Sequence, residues 1–392
     1  MDNQSSFICP VCGNTDIHSI GMLNGKPYCR MCISFKGEKA KSTILSPKVS
    51  PIYLDYELSK EQKELSNKLI ENYEKGIDSL VYAVCGSGKT EICLALIQNC
   101  LEKGLTVGFA VPRKSVCYEL YARFRNIFRK NKVISVYGGN HRKIEGDIVC
   151  LTTHQLFRYK NYYDLLIMDE IDAFPYKGNQ ALHNMFINSV RGHYVLLTAT
   201  PSDSLLLEFQ KEGKDLLKLF TRFHRHPLPV PKLILGNIIY LHYKLIKSLS
   251  KMIKENKQVF IFVPTIKQST RILYILKIFF KRGIYVNSLR DDNEEIIDDF
   301  RMKEYDYIVT TAVLERGITV KNLQVIVFNA DHPVYDDHAL VQIAGRVGRK
   351  KDAPEGEVIF LAKEETKYIS KAISDIESAN EALQNMLQGN QN

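Results

Sequence analysis

The strongest constraint on the fold of this chain is an alternation between short β-branched runs and segments with helical spacing. A first series of runs reads SLVYAV, TVGFAV, VISVYG, DIVCLTT, DLLIMDE and YVLLTAT. The segments between them repeat apolar residues every three or four positions, as in EICLALIQNCLEKG, which ends on the favourable C-cap residue Gly104. Strands that alternate with helices predict a parallel sheet covered by helices on both faces.

A second series with the same alternation follows a proline-bearing interruption at residues 221–232. Its strand runs are QVFIFVP, IYVNSL, DYIVTTA, LQVIVFNA and EVIFLA, and the tail after Lys363 has helical spacing. The sequence therefore predicts an α/β fold with two parallel-sheet lobes in tandem. We expect lobe 1 over residues 58–227 and lobe 2, which ends in a helix packed on that lobe, over residues 228–392.

Four of the nine cysteines have the spacing C-x2-C-x16-C-x2-C. These are Cys9, Cys12, Cys29 and Cys32. Each C-x2-C turn can direct two thiolates at one ion, and Gly13 follows the first pair, where a tight knuckle needs permissive backbone geometry. Two disulfides are the alternative, which the missing secretion signal disfavours. We expect residues 1–45 to form a structural zinc domain, joined to lobe 1 by a linker at 46–57.

Composition is that of a globular chain, with 45% hydrophobic and 25% charged residues among 392, enough for two core-bearing domains. The 53 Lys and Arg against 44 Asp and Glu give a net charge of +9, which favours a polyanionic partner. Nine basic residues and one acid lie between 111 and 143, either as a nucleic-acid surface or as an ordinary solvated face.

From the sequence we expect neither a membrane helix nor a secretion signal. The longest apolar stretches fall short of the ~20 residues that a membrane helix needs. Because the N-terminus has neither a basic region nor an apolar core typical of secretion signals, we expect a reducing cytosolic location. In that compartment the other five cysteines are best interpreted as small buried apolar residues, namely Cys85, Cys93, Cys100, Cys117 and Cys150.

The segment AVCGSGKT has the composition and context of a phosphate-binding loop. It follows a predicted strand and opens a predicted helix. Gly86 and Gly88 let backbone amides turn towards phosphates, Lys89 can reach the β and γ oxygens, and Thr90 can ligate Mg²⁺.

The segment LLIMDEID supplies the acids that hydrolysis needs in addition to such a loop. Asp169 follows a buried apolar run, where it would hold Mg²⁺, and Glu170 would polarise the attacking water. Helix capping is the alternative role for an acid pair, and the partner loop makes it less favoured.

The segment QIAGRVGR contributes Arg346 and Arg349 from the second lobe. Their spacing of three predicts that both lie on one helical face, from which they reach the γ-phosphate only if the lobes close. A basic surface helix is the alternative. The glycine before each arginine instead favours close backbone approach.

These segments, in this order, resemble superfamily 2 helicases and translocases over Leu58 to Leu361, and most resemble the late-competence ComFA family. LSKEQ resembles the adenine-reading element, TAT at 198–200 the coupling motif, and QIAGRVGR the last motif. Ala83 occupies the first position of the phosphate-binding loop, where alanine is common in superfamily 2. The resemblance implies that the protein binds ATP, Mg²⁺ and Zn²⁺. It also implies a set of nucleotide-binding residues, which are Gln62, Ala83, Gly86, Ser87, Gly88, Lys89, Thr90, Gly317 and Gln342.

The resemblance also implies which residues contact a nucleic-acid strand. These are Pro112, Arg113, Gly138, Gly139, Thr152, Thr153, Thr265, Thr310 and Thr311. A translocase must grip the backbone of the strand rather than its base edges, because it moves over any sequence.

The family resemblance implies an ATPase driven by single-stranded DNA that draws transforming DNA into the cytosol. Its implied partners are a ComFC-like protein, a DprA-like protein and the membrane DNA channel, at the inner face of the membrane. Alternatives are a PriA-like replication-restart helicase, an inert zinc and DNA-binding scaffold, and a P-loop phosphotransferase. A phosphotransferase would not need the second lobe, which disfavours that alternative.

Overall fold

The chain folds into two compact units in the computed structural model. The structure describes residues 7–32, 35, 37–41, 45–84, 86–140, 142–171, 179–220, 222, 226–287, 289–290, 292–311, 320–350 and 352–389. Unit 1 comprises the chain up to Ala83 together with Gly88–Leu219, and unit 2 comprises Val84–Ser87 together with the chain from Phe220. The unit boundary at Leu219 lies before the expected lobe boundary at 227, and the domain limits of the sequence analysis stay a prediction.

Unit 1 is built on a parallel sheet. Its elements are β1 Ile20–Leu23, β2 Lys26–Cys29, α1 Lys60–Glu74, β3 Ser79–Ala83, α2 Lys89–Ile92, α3 Leu94–Glu102, β4 Val107–Val111, α4 Lys114–Ile127, β5 Val133–Val136, β6 Ile148–Thr152, β7 Tyr163–Asp169, α5 Gln180–Ser189, β8 Val190–Thr198, α6 Asp203–Lys211 and β9 Asp215–Leu219. The strand order is β5-β6-β4-β7-β8-β3-β9, and every pair in this sheet is parallel. All six strands expected for the first lobe are present, and β9 is an additional edge strand.

The central strands of the seven-stranded sheet bury both of their faces, as their apolar runs predict. Along β3, Val81 faces the core formed with α1, α3 and α4, whereas Leu80 faces a second core that includes α5, α6 and the cysteine segment. Cys93, Cys100, Cys117 and Cys150 are fully buried. Burial raises the pKa of the Cys117 thiol to about 12, which confirms these thiols as uncharged apolar groups, and Cys85 lies outside the described residues.

The stretch expected to be a linker, residues 46–57, forms no helix or strand in the structure but lies against unit 1. Ser50 is fully buried, and its hydroxyl accepts a hydrogen bond from Asn131 at 3.0 Å. The backbone N–H of Tyr53 donates to the carbonyl of Ile127 at 3.0 Å. The N-terminal cysteine segment is therefore connected to α1 by a stretch whose path is fixed by these contacts.

Unit 2 contains a second parallel sheet. Its elements are β10 Lys232–Leu235, α7 Ile238–Lys254, β11 Gln258–Phe262, α8 Ile266–Lys277, β12 Gly283–Val286, α9 Asn293–Arg301, β13 Tyr307–Thr310, β14 Leu323–Phe328, α10 Asp337–Ala344, β15 Val358–Ala362 and α11 Lys367–Gly389. The order is β10-β15-β14-β11-β13-β12, and each pair is parallel. Five of these six strands coincide with apolar runs of the sequence, and β10 is the strand that is not predicted.

The C-terminal helix α11 packs on unit 2, as the apolar spacing of the tail predicts. Ile369, Ala372 and Ile376 are buried in one core with α10 and the sheet. The side chain of Asn380 accepts from the backbone N–H of Leu228 at 2.7 Å and donates to its carbonyl at 2.9 Å. The helix therefore also fixes the chain just ahead of β10.

Gly192 is required where β8 passes an irregularity in β7. The pairing of these strands shifts register between Tyr163 and Leu165, and a Cβ on Gly192 would lie 2.3 Å from the carbonyl oxygen of Asp164. The three nearest atoms all belong to the backbone of Asp164 and cannot rotate away as a side chain could. A side chain at this position would force the two strands apart.

Gly192→Ala is expected to lower the free energy of unfolding by about 1–3 kcal/mol, because overpacking must move a central strand pair. Urea denaturation measures the change. Gly138→Ala is the control, since a Cβ there meets nothing within 4 Å. Equal denaturation midpoints for the two variants would contradict the assigned pairing.

Candidate functional site

The loop between β3 and α2 has the backbone geometry expected for phosphate binding. Gly86 and Gly88 both have left-handed backbone angles, with φ of +83° and +84°, which side-chain-bearing residues rarely adopt. Ser87 lies between them, fully buried, and its N–H donates to the carbonyl of Val84 at 3.2 Å. Gly88 forms the N-cap of α2, which begins at Lys89.

Gln62 lies against this loop at the start of α1. Its side-chain oxygen accepts from the N–H of Ser59 at 2.9 Å, while the Ser59 hydroxyl accepts from the N–H of Gln62 at 3.2 Å, a reciprocal capping box. A Cβ on Gly88 would lie 2.4 Å from the amide nitrogen of Gln62. The structure thus brings Gly88 and Gln62, two predicted nucleotide-binding residues of unit 1, close together.

A second group of side chains, which the sequence analysis misses, fastens α2 to its neighbours. Arg123 of α4 donates to Glu91 of α2 at 2.6 Å and to the hydroxyl of Tyr56 at 2.8 Å. Burial raises the pKa of Tyr56, and the adjacent Glu91 carboxylate raises it further. These three residues are far apart in sequence, and only the fold shows that they form one cluster beside the loop.

Asp169 and Glu170 lie at the same edge of the sheet as the loop. Asp169 is the last residue of β7 and pairs with Leu197 of β8, whereas Thr198 of β8 pairs with Tyr82 of β3. Only β8 separates β7 from β3, so the ends of β7 and β3 are about 10 Å apart. The predicted coupling segment, Thr198 to Thr200, follows directly on that intervening strand.

Glu170 has a backbone conformation that is unusual for a residue with a side chain. Its φ is +56°, and its N–H donates to a carboxylate oxygen of Asp169 at 2.9 Å. Both carboxylates are half-buried. Left-handed geometry turns the chain sharply at the strand end, so that consecutive acids point in different directions.

The strand-contact candidates of unit 1 also follow strand ends at this edge. Pro112 and Arg113 follow β4, Thr152 ends β6, and Gly138 and Gly139 follow β5. The ammonium of Lys114 lies 5.2 Å from the ring centroid of Tyr137, a pair the sequence analysis misses. Thr153 is 1% exposed, so any strand contact there falls to the main chain.

The candidates of unit 2 follow two adjacent strands. Thr265 caps α8 after β11 and accepts from the N–H of Gln268 at 3.2 Å. Thr310 ends β13, where it pairs with Phe262, and its hydroxyl donates to the carbonyl of Thr311 at 3.0 Å. Gln342 is buried on α10, and Gly317 lies outside the described residues.

The two arginines of unit 2 do not lie on a helical face, so that prediction is wrong. Helix α10 ends at Ala344 with Gly345 as its C-cap, and Arg346 to Gly348 form a turn. Gly348 has φ of +68°, and a Cβ there would lie 2.1 Å from the carbonyl oxygen of Pro354. The glycines end the helix early, and the expected close backbone approach is confirmed at Gly348.

The four N-terminal cysteines converge on one point. All are buried and their sulfur atoms lie within 4.8 Å of one another, with Cys12 and Cys29 separated by 3.8 Å. Gly13 has φ of +66°, as the knuckle requires, and its N–H donates to the carbonyl of Cys9 at 2.8 Å.

The cysteine segment packs on the 3₁₀ helix Thr153–Arg158, which follows one of the strand-contact candidates. The ring of Phe35 stacks on His154 with centroids 6.1 Å apart. Arg158 donates to the carbonyl of Glu38 at 2.7 Å, and its own carbonyl accepts from Ala40 at 2.9 Å. The structure therefore joins the cysteine segment directly to the part of unit 1 that carries the predicted strand-contact residue Thr153.

Two family descriptions match the sequence in the regions of these sites. Residues 55–203 match "Type III restriction enzyme, res subunit", and residues 243–351 match "Helicase conserved C-terminal domain". Both are helicase domains of superfamily 2. The matches imply a nucleotide-dependent activity of helicase type, with ATP and Mg²⁺ as its cofactors.

The similarity to competence proteins extends over nearly the whole chain. The chain is 33% identical to Competence protein ComFA of Bacillus subtilis over 97% of its own length and 87% of that protein. It is 32% identical to Competence protein ComFA of Streptococcus pneumoniae over 96% of its length and 91% of that protein. The chain belongs to the ComFA family. By contrast, Replication restart protein PriA of Helicobacter pylori is 29% identical over 50% of this chain and 34% of that protein.

Solved structures share the fold of this ComFA-family chain. Saccharomyces cerevisiae Dbp5 bound to RNA and ADP BeF3 superposes with a TM-score of 0.61 at 15% identity, covering 82% of this chain and 92% of that chain. RecG bound to a three-way DNA junction gives a TM-score of 0.59 at 20% identity, over 84% and 47% of the two chains. Two parallel-sheet lobes of helicase type are therefore shown for this member of the ComFA family.

The residues of the ComFA-family chain fit both implied metal sites. Sulfur atoms around a tetrahedral zinc are about 3.8 Å apart, which is the separation of Cys12 and Cys29. For Mg²⁺, a hydroxyl at Thr90 and a carboxylate at Asp169 are the oxygen donors it prefers.

No helix among the described residues combines the length and hydrophobicity required to cross a bilayer.

Cys12→Ser and Cys32→Ser are expected to lose the metal, because a four-thiolate site depends on each ligand. Elemental analysis of the purified protein should give one zinc per chain for the wild type and far less for these variants. Cys117→Ser is the matched control, since it changes an equally buried thiol outside the cluster. Retention of full zinc by both cluster variants would contradict the assignment.

Proposed function

We propose that this ComFA-family chain is an ATP-dependent translocase on single-stranded DNA, which drives transforming DNA into the cytosol. The observation that carries the proposal is the shared sheet edge of unit 1. That edge brings together the glycine loop, the acid pair after β7 and the turns that follow β4, β5 and β6. Nucleotide chemistry and strand contact would then act on opposite halves of one rigid sheet.

Each residue at the nucleotide edge has a chemical role in the proposal. Lys89 contacts the β and γ phosphates, Thr90 and Asp169 hold the magnesium ion, and Glu170 accepts the proton of the attacking water. Magnesium would neutralise the charge that develops on the phosphates. From unit 2, Arg346 and Arg349 are proposed to stabilise the charge of the transition state.

The strand would be held mainly through its phosphates. Main-chain N–H groups at Arg113 and Gly139, together with the hydroxyls and main chain of Thr265 and Thr311, are proposed as contacts. Arg113 and Lys114 add positive charge at the same edge. Contacts of this kind carry no sequence information, which suits a protein that must move over any DNA.

The cysteine segment is proposed to be a structural zinc site. Four protein ligands leave no position for water, so catalysis by the metal is not part of the proposal. The proposed partners are those of the family resemblance: a ComFC-like protein, a DprA-like protein and the membrane DNA channel. Through them the chain would act at the inner face of the membrane.

Lys89→Ala is expected to abolish ATP hydrolysis and leave DNA binding within about threefold, because the lysine contacts phosphate and not the strand. Phosphate release and fluorescence anisotropy with labelled oligonucleotide measure the two properties. Glu170→Gln should retain ATP binding while its turnover falls about 100-fold or more. Turnover that survives in Lys89→Ala would remove the loop from the mechanism.

Wild-type ATP hydrolysis is expected to rise with single-stranded DNA and much less with duplex DNA or RNA. Parallel assays with the three nucleic acids at equal nucleotide concentration test this expectation. Greater stimulation by RNA would overturn the DNA-uptake role. No nucleic-acid stimulation and no turnover would favour an inert scaffold instead.

The double variant Arg113→Ala/Lys114→Ala is expected to weaken strand binding and to reduce its salt dependence. Each lost phosphate contact should lower the slope of log affinity against log salt by about 0.7. Lys130→Ala is the control, because Lys130 is exposed as Lys114 is but precedes β5, at the amino ends of the strands. Unchanged salt slopes in the double variant would contradict the proposed path.

A further inference from the structure

Arg222 is among the most deeply buried charged residues of the described chain. Only 1% of it is exposed, and it belongs to unit 2, in the segment between β9 and β10. None of the motifs identified in the sequence includes it. Burial of a guanidinium is costly unless its N–H groups are hydrogen-bonded, so its contacts must be strong enough to offset that cost.

The guanidinium of Arg222 donates to three carbonyls of the turn that carries the arginines Arg346 and Arg349. One terminal nitrogen donates to Val347 at 3.0 Å and to Gly348 at 2.9 Å. The other donates to Gly345 at 3.3 Å. An arginine presents its donors in a rigid planar fork, and here that fork fixes the relative positions of three carbonyls within four consecutive residues.

The turn bonds back to α10 through its N–H groups, since those of Gly345 and Val347 donate to the carbonyls of Val341 and Ala344 at 2.9 and 3.2 Å. Its carbonyls bond to Arg222 instead. Helix α10 has ended at Ala344, and within the turn the N–H of Arg346 donates to Ile343 at 3.1 Å. Arg349 donates through Nε to the carbonyl of Gly345 at 3.0 Å, the same oxygen that accepts from Arg222. Arg222 and Arg349 therefore share one acceptor, the carbonyl oxygen of Gly345.

Gly348 makes the contact possible. A Cβ at this position would lie 3.1 Å from a guanidinium nitrogen of Arg222 as well as 2.1 Å from Pro354. The close approach of the turn to Arg222 thus requires glycine on both counts. This explains the second glycine of the QIAGRVGR segment by a contact within unit 2.

We propose that Arg222 is a positioning residue for ATP hydrolysis, which holds the turn Gly345–Gly348 in the conformation that Arg346 and Arg349 need. The inference rests on the proposed function, in which these two arginines stabilise the transition state. In this proposal Arg222 acts through the turn and not on the nucleotide itself. Arg222 lies three residues after Leu219, the last residue of β9, and its contacts with the arginine turn lie within unit 2.

Arg222→Met tests the inference, since methionine keeps much of the buried bulk and removes every donor. The turnover number in saturating single-stranded DNA is expected to fall about 10- to 100-fold, as for a catalytic group displaced by roughly 1 Å. The KM for ATP and the affinity for DNA should change by less than about twofold. Arg222→Lys should recover part of the loss, because an ammonium donates to fewer carbonyls at once.

Arg282→Met is the control within unit 2 for removal of an arginine that bonds to backbone carbonyls, here at an exposed site. Arg282 also donates to backbone carbonyls, those of Lys303 and Glu304, but it lies before β12 and not at the arginine turn. Both variants are compared at equal folded fraction, measured by thermal denaturation and by the amount of bound nucleotide. An equal fall in turnover for Arg222→Met and Arg282→Met would show a general structural effect and overturn the inference.

A double variant separates positioning from independent damage. If Arg222 acts through the turn, Arg222→Met/Arg349→Ala should lose less turnover than the product of the two single losses. A loss equal to that product would overturn the inference. Absence of hydrolysis in the wild type would instead refute the proposed function, whereas wild-type activity with an unaffected Arg222→Met variant refutes only the role of Arg222.

Discussion

Parallel pairing of β7, β8 and β3 is the constraint on which the rest of unit 1 depends. In a parallel sheet all carboxyl ends lie at one edge, so the loop after β3 and the acids after β7 must meet there. The pairing of Asp169 with Leu197 and of Thr198 with Tyr82 places the ends of β7 and β3 at the same height along the strand direction. The cysteine segment and α1 then pack on the two faces of this sheet and hold the edge rigid.

The proposed arginine turn of unit 2 is stabilised in a different way. Its carbonyls are held by a side chain from a segment that belongs to neither sheet, with Arg222 as the donor. Strand ends are fixed by the whole hydrogen-bonded ladder, whereas a turn after a helix has only local bonds. A buried guanidinium supplies the missing rigidity because it bridges several acceptors at once.

Sequence patterns predict the features whose signal is local. Long buried runs such as Leu165–Met168 identify central strands, and the glycine loop and cysteine spacing identify their sites within a few residues. The edge strand β10 is missed because it is short and partly exposed and follows prolines. The helical placement of Arg346 and Arg349 is wrong because two glycines outweigh residue spacing. The contacts of Arg123 and Arg222 join residues 32 or more positions apart, and no local pattern reveals them.

The backbone of Glu170 has a consequence for how this protein can change. A left-handed conformation at a residue with a side chain costs about 1–2 kcal/mol, which the rest of the fold must offset. Glycine or asparagine at this position would relieve that strain but would remove the carboxylate. In the proposed mechanism, where Glu170 accepts the proton of the attacking water, such a change would give a more stable but inactive protein. Glutamate at this position therefore costs part of the small margin by which the fold is stable.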